Sequence, residues 1–327
     1  MRVTKMARPR IVVLDGFALN PGDLSWEPLG ELGSLSVHER TPPEQVVERA
    51  RGAAILLTNK TLIGADALAL LPELAYVGVL ATGTNVVDRQ AARARGVVVT
   101  NVPNYGADSV AEHTLGLMLE ATKQLGAHTR AVREGGWARQ PDFSFSVAPV
   151  SLLADKTLGI VGYGAIGRRV AELARAFKMK VVVARHGAES RGGLTLGVDY
   201  AELEAVLRRS DMLSLHCPLT PETERLIDAT RLGWMKPSAV LINTARGGLI
   251  DEGALASALR ESRIAGAYLD VLATEPPPQD HALVSLPNCW ITPHIAWASV
   301  EARGRLLAIA AANVKAFLEG APSNTVA

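Results

Sequence analysis

Short apolar runs alternate with stretches in which apolar residues recur every three or four positions, and the alternation covers nearly the whole chain. In its first third the runs Ile11–Leu14, Leu35–His38, Ala53–Leu57, Tyr76–Leu80 and Val97–Thr100 predict strands. Between them, Glu44–Ala50, Ala65–Leu70 and Asp88–Arg95 predict helices. Strands separated by helices imply a parallel sheet. A long helix is predicted over 107–125, with Val110, Thr114, Leu117, Met118, Ala121 and Leu125 on one face and Asp108 and Ser109 as its cap. Residues 126–150 read as an irregular loop carrying Trp137, Phe143 and Phe145. The loop is long enough to suggest a docking arm, although its aromatics would equally serve to anchor it to its own domain.

Strand–helix alternation resumes with Thr157–Val161 and Val181–Ala184, then Met212–His216, Ala239–Asn243, Ala265–Leu269 and Cys289–Thr292. Asp251 reads as the cap of a helix Glu252–Leu259. A last helix, Val300–Leu318, aligns Leu306, Ala310, Val314 and Phe317. It follows the final strand of the second set, so it can return to the first domain. The expected layout is therefore a discontinuous domain, 1–104 with 296–327, and a second domain, 105–295. A cleft between two domains is where ligands tend to sit.

The turn after Thr157–Val161 holds Gly162, Gly164 and Gly167, and the helix that follows begins near Ala165 and Ile166. Gly162 suits a sharp turn, Gly164 lets backbone approach a pyrophosphate, and Gly167 lets helix and strand pack closely. The helix start offers bare N–H groups to phosphate. Placed between a strand and a helix, with a second strand at the right distance, this glycine pattern predicts a dinucleotide site. An acidic residue about 20 positions after the last glycine would hold the ribose hydroxyls of NAD. Arg185 stands there instead (185 − 167 = 18), with His186 and Arg191 beyond it. A cation pairs with the 2′-phosphate of NADP, although a solvated arginine would tolerate either cofactor.

Composition removes other classes of function. The chain has 327 residues, 48% of them hydrophobic and 20% charged, as in an ordinary two-domain globular protein. A net charge of +1, with no basic stripe, argues against a nucleic-acid partner. No apolar stretch reaches the ~18 residues of a membrane span. Cys217 and Cys289 lie far apart without ligand spacing, which suggests neither a disulfide nor a bound metal and fits the reducing cytoplasm. Met1–Arg10 is basic but lacks the apolar core of a secretion signal, so it reads as an extension, with Met6 a second possible start.

Three polar segments follow strands of the second domain: Asn243-Thr244-Ala245-Arg246, Asp270 to Glu275, and Thr292-Pro293-His294-Ile295-Ala296-Trp297. In a parallel doubly wound sheet these ends share the edge that holds the cofactor, so Arg246, Glu275 and His294 are expected close together. Each alone has a plain structural reading: a cap, a loop start, a backbone hydrogen bond. Together at one edge they read as a catalytic set. In the first domain, Leu80-Ala81-Thr82-Gly83 follows a strand and opens a helical stretch. Its N–H groups would grip a carboxylate, or it is an ordinary glycine turn.

These segments, with Leu215-His216-Cys217-Pro218, resemble the D-isomer-specific 2-hydroxyacid dehydrogenase family over about Ile11 to Pro322. Pro21-Gly22-Asp23-Leu24, Thr58-Asn59-Lys60 and His294-Ile295-Ala296-Trp297 are similar to its glycerate dehydrogenase, or hydroxypyruvate reductase, branch. The resemblance implies two doubly wound α/β domains, one Rossmann-type and one flavodoxin-like and discontinuous. It implies that Arg246 binds the substrate carboxylate and that His294 is the acid–base. Glu275 would fix the tautomer of His294 and favour its charged form. Ala81, Thr82, Gly83 and Trp297 would also meet substrate, the indole narrowing the pocket toward small acids. Gly162, Gly164, Ala165, Ile166, Gly167, Arg185, Cys217, Pro218, Thr244, Ala245, Asp270, His294 and Ala296 would line the cofactor, with NADP(H) favoured over NAD(H).

The expected activity is reduction of hydroxypyruvate or glyoxylate to the D-2-hydroxy acid, and the reverse, by a homodimer. Alternatives are a dehydrogenase for another 2-keto acid, such as phosphoglycerate, or a cofactor-sensing co-regulator without catalysis.

Overall fold

The computed structural model describes residues 8–185 and 198–327. The reading of Met1–Arg10 as an extension falls largely outside them, as do His186 and Arg191. The chain divides into two compact units, Met1–Gly106 with Ala298–Ala327, and Ala107–Trp297. The crossings lie two residues later than the boundaries expected from sequence, which leaves Ala296 and Trp297 with the second unit. Both are held there by hydrogen bonds to Asp270, Ser109 and His294.

In the first unit, β1 (Arg10–Val13), β2 (Ser34–Val37), β3 (Ile55–Thr58), β4 (Tyr76–Val79) and β5 (Val98–Thr100) form a wholly parallel sheet in the order β2-β1-β3-β4-β5. This is the flavodoxin-like doubly wound order. Alternate residues of each strand face opposite layers, so Val12, Leu56, Val77 and Val99 share one buried cluster. Helices α1 (Glu27–Gly30), α2 (Val46–Ala50), α3 (Ala65–Ala69) and α4 (Arg89–Ala94) lie in the connections. The C-terminal helix, α11 (Val300–Leu318), closes the other face, with the Phe317 and Tyr76 rings 4.9 Å apart.

The second unit begins with α5 (Ala107–Lys123) and α6 (Leu125–Arg133). It continues with β6 (Thr157–Val161), α7 (Ala165–Ala176), β7 (Lys180–Ala184), β8 (Asp199–Ala201) and α8 (Leu203–Arg209). It is completed by β9 (Met212–Leu215), α9 (Ala229–Leu232), β10 (Val240–Asn243), α10 (Glu252–Arg260), β11 (Gly266–Leu269) and β12 (Cys289–Ile291). The seven strands are all parallel, in the order β12-β11-β10-β9-β6-β7-β8. This is the Rossmann order with one added strand, and its switch point lies between β6 and β9. Buried clusters cover both faces, Leu158, Ile160, Val183 and Ile242 on one, Val161, Leu213, Leu215 and Leu241 on the other. That is why the strands read as continuous apolar runs.

Several expectations need correction. The segment after residue 125 is not all irregular. Gln124 takes a left-handed backbone (φ 50°) that ends α5, and α6 follows at once. No residue of α6 is buried, so it carries no core-facing stripe for periodicity to detect. Asp108 and Ser109 do not cap α5. The Asp108 carboxylate takes Arg169, and the Ser109 hydroxyl donates to the Ala296 carbonyl. Nor does the Ala81–Gly83 loop open a helix: α4 starts at Arg89, capped by Asp88, so any anion site there would use loop amides without a helix dipole. Strand β8 and helices α1, α8 and α9 have three to seven residues each and were not foreseen.

Candidate active site

The glycine turn sits at the switch point. Gly162 has φ +94°, and a Cβ on it would land on the backbone of His216 and Cys217, which extend β9. A Cβ on Gly167 would meet the Gly162 carbonyl oxygen. At Gly164 nothing lies within 4 Å of a built Cβ, so its missing side chain leaves open space above the turn. Gly164 is the N-cap of α7 and supplies no side-chain cap, so the first N–H groups of the helix, at Ala165, Ile166 and Gly167, face that space without a protein cap. This cradle fits a pyrophosphate.

The ribose-side residues lie at the end of β7. Arg185 is exposed; its Nη2 donates to the Tyr200 carbonyl (3.3 Å), and its Nη1 stands 3.9 Å from Glu202. The Tyr200 ring meets the Tyr163 ring edge-on at 6.0 Å, linking this point back to the glycine turn. Cys217 is half-buried beside Gly162, and burial pushes its thiol pKa up. Pro218 is exposed, its carbonyl accepting from the Thr223 hydroxyl at 2.7 Å. Burial drives His216, whose Nε2 lies 2.9 Å from Ser214 Oγ, down to about 4.

After β10 the chain turns through Thr244, Ala245 and Arg246. Asn243, fully buried, braces the turn: its Oδ1 accepts from Ala245 N–H (3.0 Å) and its Nδ2 donates to the Arg246 carbonyl (2.8 Å). The Arg246 side chain is exposed and donates to the Ala245 carbonyl at 2.6 Å. Gly247 packs so tightly on the Leu272–Ala273 backbone that no Cβ fits. The turn bearing Arg246 therefore rests directly on the loop bearing Glu275.

That loop delivers the closest pair in the site. His294 Nδ1 is 2.6 Å from Glu275 Oε2, and Glu275 Oε1 accepts from Leu272 N–H at 2.9 Å. A carboxylate on Nδ1 makes this nitrogen the donor and turns Nε2 to other work. His294 has a left-handed backbone, φ 53°, which a residue with a side chain seldom adopts without external restraint.

Much of the restraint comes from Asp270, 1% exposed at the end of β11. Its carbonyl accepts from His294 N–H (2.9 Å), its Oδ1 from Thr292 Oγ1 (2.6 Å) and Ile295 N–H (2.9 Å), and its Oδ2 from Ala296 N–H (2.8 Å). His113 on α5 adds a contact from Nε2 to Thr292 Oγ1 at 3.0 Å. Asp270 is expected from sequence at the nicotinamide end; its carboxylate also holds the loop that presents His294. Sequence reasoning assigned no role to Asn243 or Thr292, which share one signal, a polar residue ending or following an apolar strand; His113, within α5, reads from sequence only as structural or solvated.

Thr244 is buried, its hydroxyl 3.0 Å from that of Thr114. Trp297 donates its indole N–H to the His294 carbonyl at 2.9 Å. In the first unit, the Ala81 carbonyl accepts from Val102 N–H, and the Thr82 hydroxyl donates to the Val102 carbonyl at 2.9 Å. Gly83 follows in the same loop. Among the described residues no group of three or more His, Cys, Asp or Glu is arranged for a metal, and no helix is long and apolar enough to cross a membrane.

Comparison with known proteins agrees with this geometry. Residues 115–296 match the profile of the D-isomer specific 2-hydroxyacid dehydrogenase NAD binding domain. The chain is 42% identical to a hydroxypyruvate reductase of Blautia hydrogenotrophica over 97% of its length and 99% of the relative's. It is 44% identical to a glycerate dehydrogenase of Methylorubrum extorquens, over 87% of this chain and 88% of that one. Among solved structures, it is similar to the NADPH-dependent glyoxylate/hydroxypyruvate reductase of Sinorhizobium meliloti in complex with NADP and malonate. The TM-score is 0.83 and the identity 32%, covering 98% of this chain and 97% of that one. With the Rossmann strand order, the open glycine turn and a histidine–glutamate pair at one sheet edge, these matches establish that the chain belongs to the D-isomer specific 2-hydroxyacid dehydrogenase family.

Proposed function

We propose that this protein reduces a small 2-keto acid, hydroxypyruvate or glyoxylate, to the D-2-hydroxy acid, and catalyses the reverse. The observation that carries the reading is the 2.6 Å contact between His294 Nδ1 and Glu275. A reduced nicotinamide, when bound, supplies the hydride that reaches C2 of the substrate. Nε2 of protonated His294 donates a proton to the carbonyl oxygen, and in the oxidative direction neutral Nε2 takes the hydroxyl proton. Glu275 holds the tautomer and balances the ring's charge. Arg246 binds the carboxylate by charge-assisted hydrogen bonds.

The residues that would hold the cofactor are Gly162, Gly164, Ala165, Ile166 and Gly167 at the pyrophosphate, and Arg185 at the ribose. Cys217 and Pro218 would lie toward the adenine. Thr244, Ala245, Asp270, His294 and Ala296 would lie at the nicotinamide end. Arg185 favours NADP(H), because a guanidinium accepts no hydroxyl proton and pairs well with a 2′-phosphate. The relative of known structure named above is NADPH-dependent, which supports this reading. A second copy of this chain is the proposed partner. Leu125, Val132, Trp137, Phe143, Val147, Val150 and Leu152 are each at least 43% exposed, an unusual run of uncovered apolar side chains in one segment.

The test is an absorbance assay of cofactor oxidation with NADPH and NADH against hydroxypyruvate, glyoxylate, pyruvate and phosphohydroxypyruvate. The highest kcat/KM is expected for NADPH with one of the first two acids. Preference for phosphohydroxypyruvate, or no turnover with any of them, rejects the assignment.

A further inference from the structure

His294 is restrained on every side but one by groups already described. Its N–H is held by the carbonyls of Asp270 and Thr292, its ring by Glu275, and the two amides after it by the Asp270 carboxylate. The His294–Ile295 peptide unit is held at its N–H by Asp270 Oδ1 at 2.9 Å, and the other polar group of the same unit, the His294 carbonyl, needs a partner of its own. In a left-handed residue that second anchor matters, since ordinary restraint from neighbouring helix or strand bonds is missing. The indole N–H of Trp297, three residues on, donates to this carbonyl at 2.9 Å. Trp297 is partly buried and has one donor and no acceptor, so its polar edge has one use, and here it is spent on the residue that carries the acid–base ring.

We propose that Trp297 is a positioning residue: its indole N–H clamps the His294 carbonyl and so fixes the direction in which the imidazole meets the substrate. This rests on the reading of His294 as the proton donor. It differs from a role as a pocket wall. A wall acts through size, and removing part of it changes KM according to the bulk of the substrate. A clamp acts on the donor, and removing it lowers kcat for every substrate alike, because a small error in the geometry of a catalytic group affects the transition state more than binding.

The experiment compares Trp297→Phe, which keeps an aromatic ring and deletes the N–H, with Trp297→His, which keeps a ring donor. Kinetics are measured with hydroxypyruvate and with the bulkier phenylpyruvate. NADPH affinity is followed by fluorescence, folding by melting temperature, and His294→Ala is run alongside. The expected result is a kcat about tenfold lower in Trp297→Phe for both acids, the order of one lost hydrogen bond. KM and cofactor affinity should stay within about twofold, and part of the kcat should return in Trp297→His. An unchanged kcat in Trp297→Phe, a change confined to one acid's KM, or a loss shared with cofactor binding overturns the proposal. If His294→Ala keeps full turnover, the reading of His294 falls as well; if it loses turnover while Trp297→Phe does not, the clamp alone is wrong. Should Trp297→Phe melt early, the Trp297→His variant decides between the two roles by the same kcat and KM comparison.

Discussion

Glu275 and His294, nineteen residues apart, meet at 2.6 Å between Oε2 and Nδ1, and the second carboxylate oxygen of Glu275 is held by Leu272 N–H at 2.9 Å. Two loops from adjacent parallel strands are thereby locked to each other at the edge where the glycine turn lies. Replacing Glu275 by Gln keeps the shape and removes the charge. The expected outcome is a kcat lowered by roughly tenfold to a hundredfold, the range of a charge-assisted hydrogen bond, with cofactor affinity little changed. Steady-state kinetics beside a fluorescence titration check it; a kcat equal to that of the wild type contradicts the pairing's role.

Gly164 and Gly167 separate ligand binding from folding. A methyl group on Gly164 meets nothing within 4 Å, and its φ of −76° suits any residue. Gly164→Ala should therefore melt at nearly the wild-type temperature while binding NADPH more weakly, because the methyl occupies the approach to the turn. A methyl group on Gly167 meets the Gly162 carbonyl. Gly167→Ala should be destabilised by about 1–3 kcal/mol, the usual scale of overpacking. Calorimetry and cofactor titration on both variants would show the split; equal melting temperatures would contradict the packing.

Among the described residues Arg185 meets the Tyr200 carbonyl and stands 3.9 Å from Glu202, two weak contacts that a phosphate can replace at small expense. Arg185→Ser should weaken NADPH by about tenfold or more, since a charge-assisted bond contributes roughly 1.5–3 kcal/mol, and should leave NADH within about twofold. Dissociation constants for both cofactors measure this directly. Equal losses for the two would mean that Arg185 does not read the 2′ position.

His216 makes stability depend on pH. Its folded pKa, about 4, lies below the ordinary 6.5 because burial opposes the charged ring. Between those values the unfolded chain takes up a proton that the folded chain refuses, so this stability is present above about pH 6.5 and is lost as the pH falls toward 4. The melting temperature should fall from pH 7 to pH 5, and less steeply in His216→Asn. Identical slopes in the two proteins would remove His216 as the cause.

Most strands were legible because parallel strands buried on both faces must be apolar throughout, and the helices that pack on them must show a stripe. Thr157–Val161 and Val300–Leu318 lie where the pattern put them. Helix α6 was not legible, since it buries none of its residues. In the site, Glu275 and His294 could be expected close together from sequence because strand ends of a parallel sheet share one edge, and the family resemblance implied their pairing. The restraint on His294 could not. It depends on one buried carboxylate, that of Asp270, serving three donors, and on a left-handed histidine whose carbonyl meets an indole. Both are contacts of a particular loop path, for which residue type and spacing carry no signal.

The central claim is that His294 is the group that gives and takes the substrate proton. Turnover of His294→Ala with NADPH and hydroxypyruvate, measured together with its NADPH dissociation constant, tests it most directly. The expected result is a kcat lower by about 10²–10⁴, the usual contribution of a positioned acid–base, at near-normal cofactor affinity. Turnover within a few fold of the wild-type rate would contradict it.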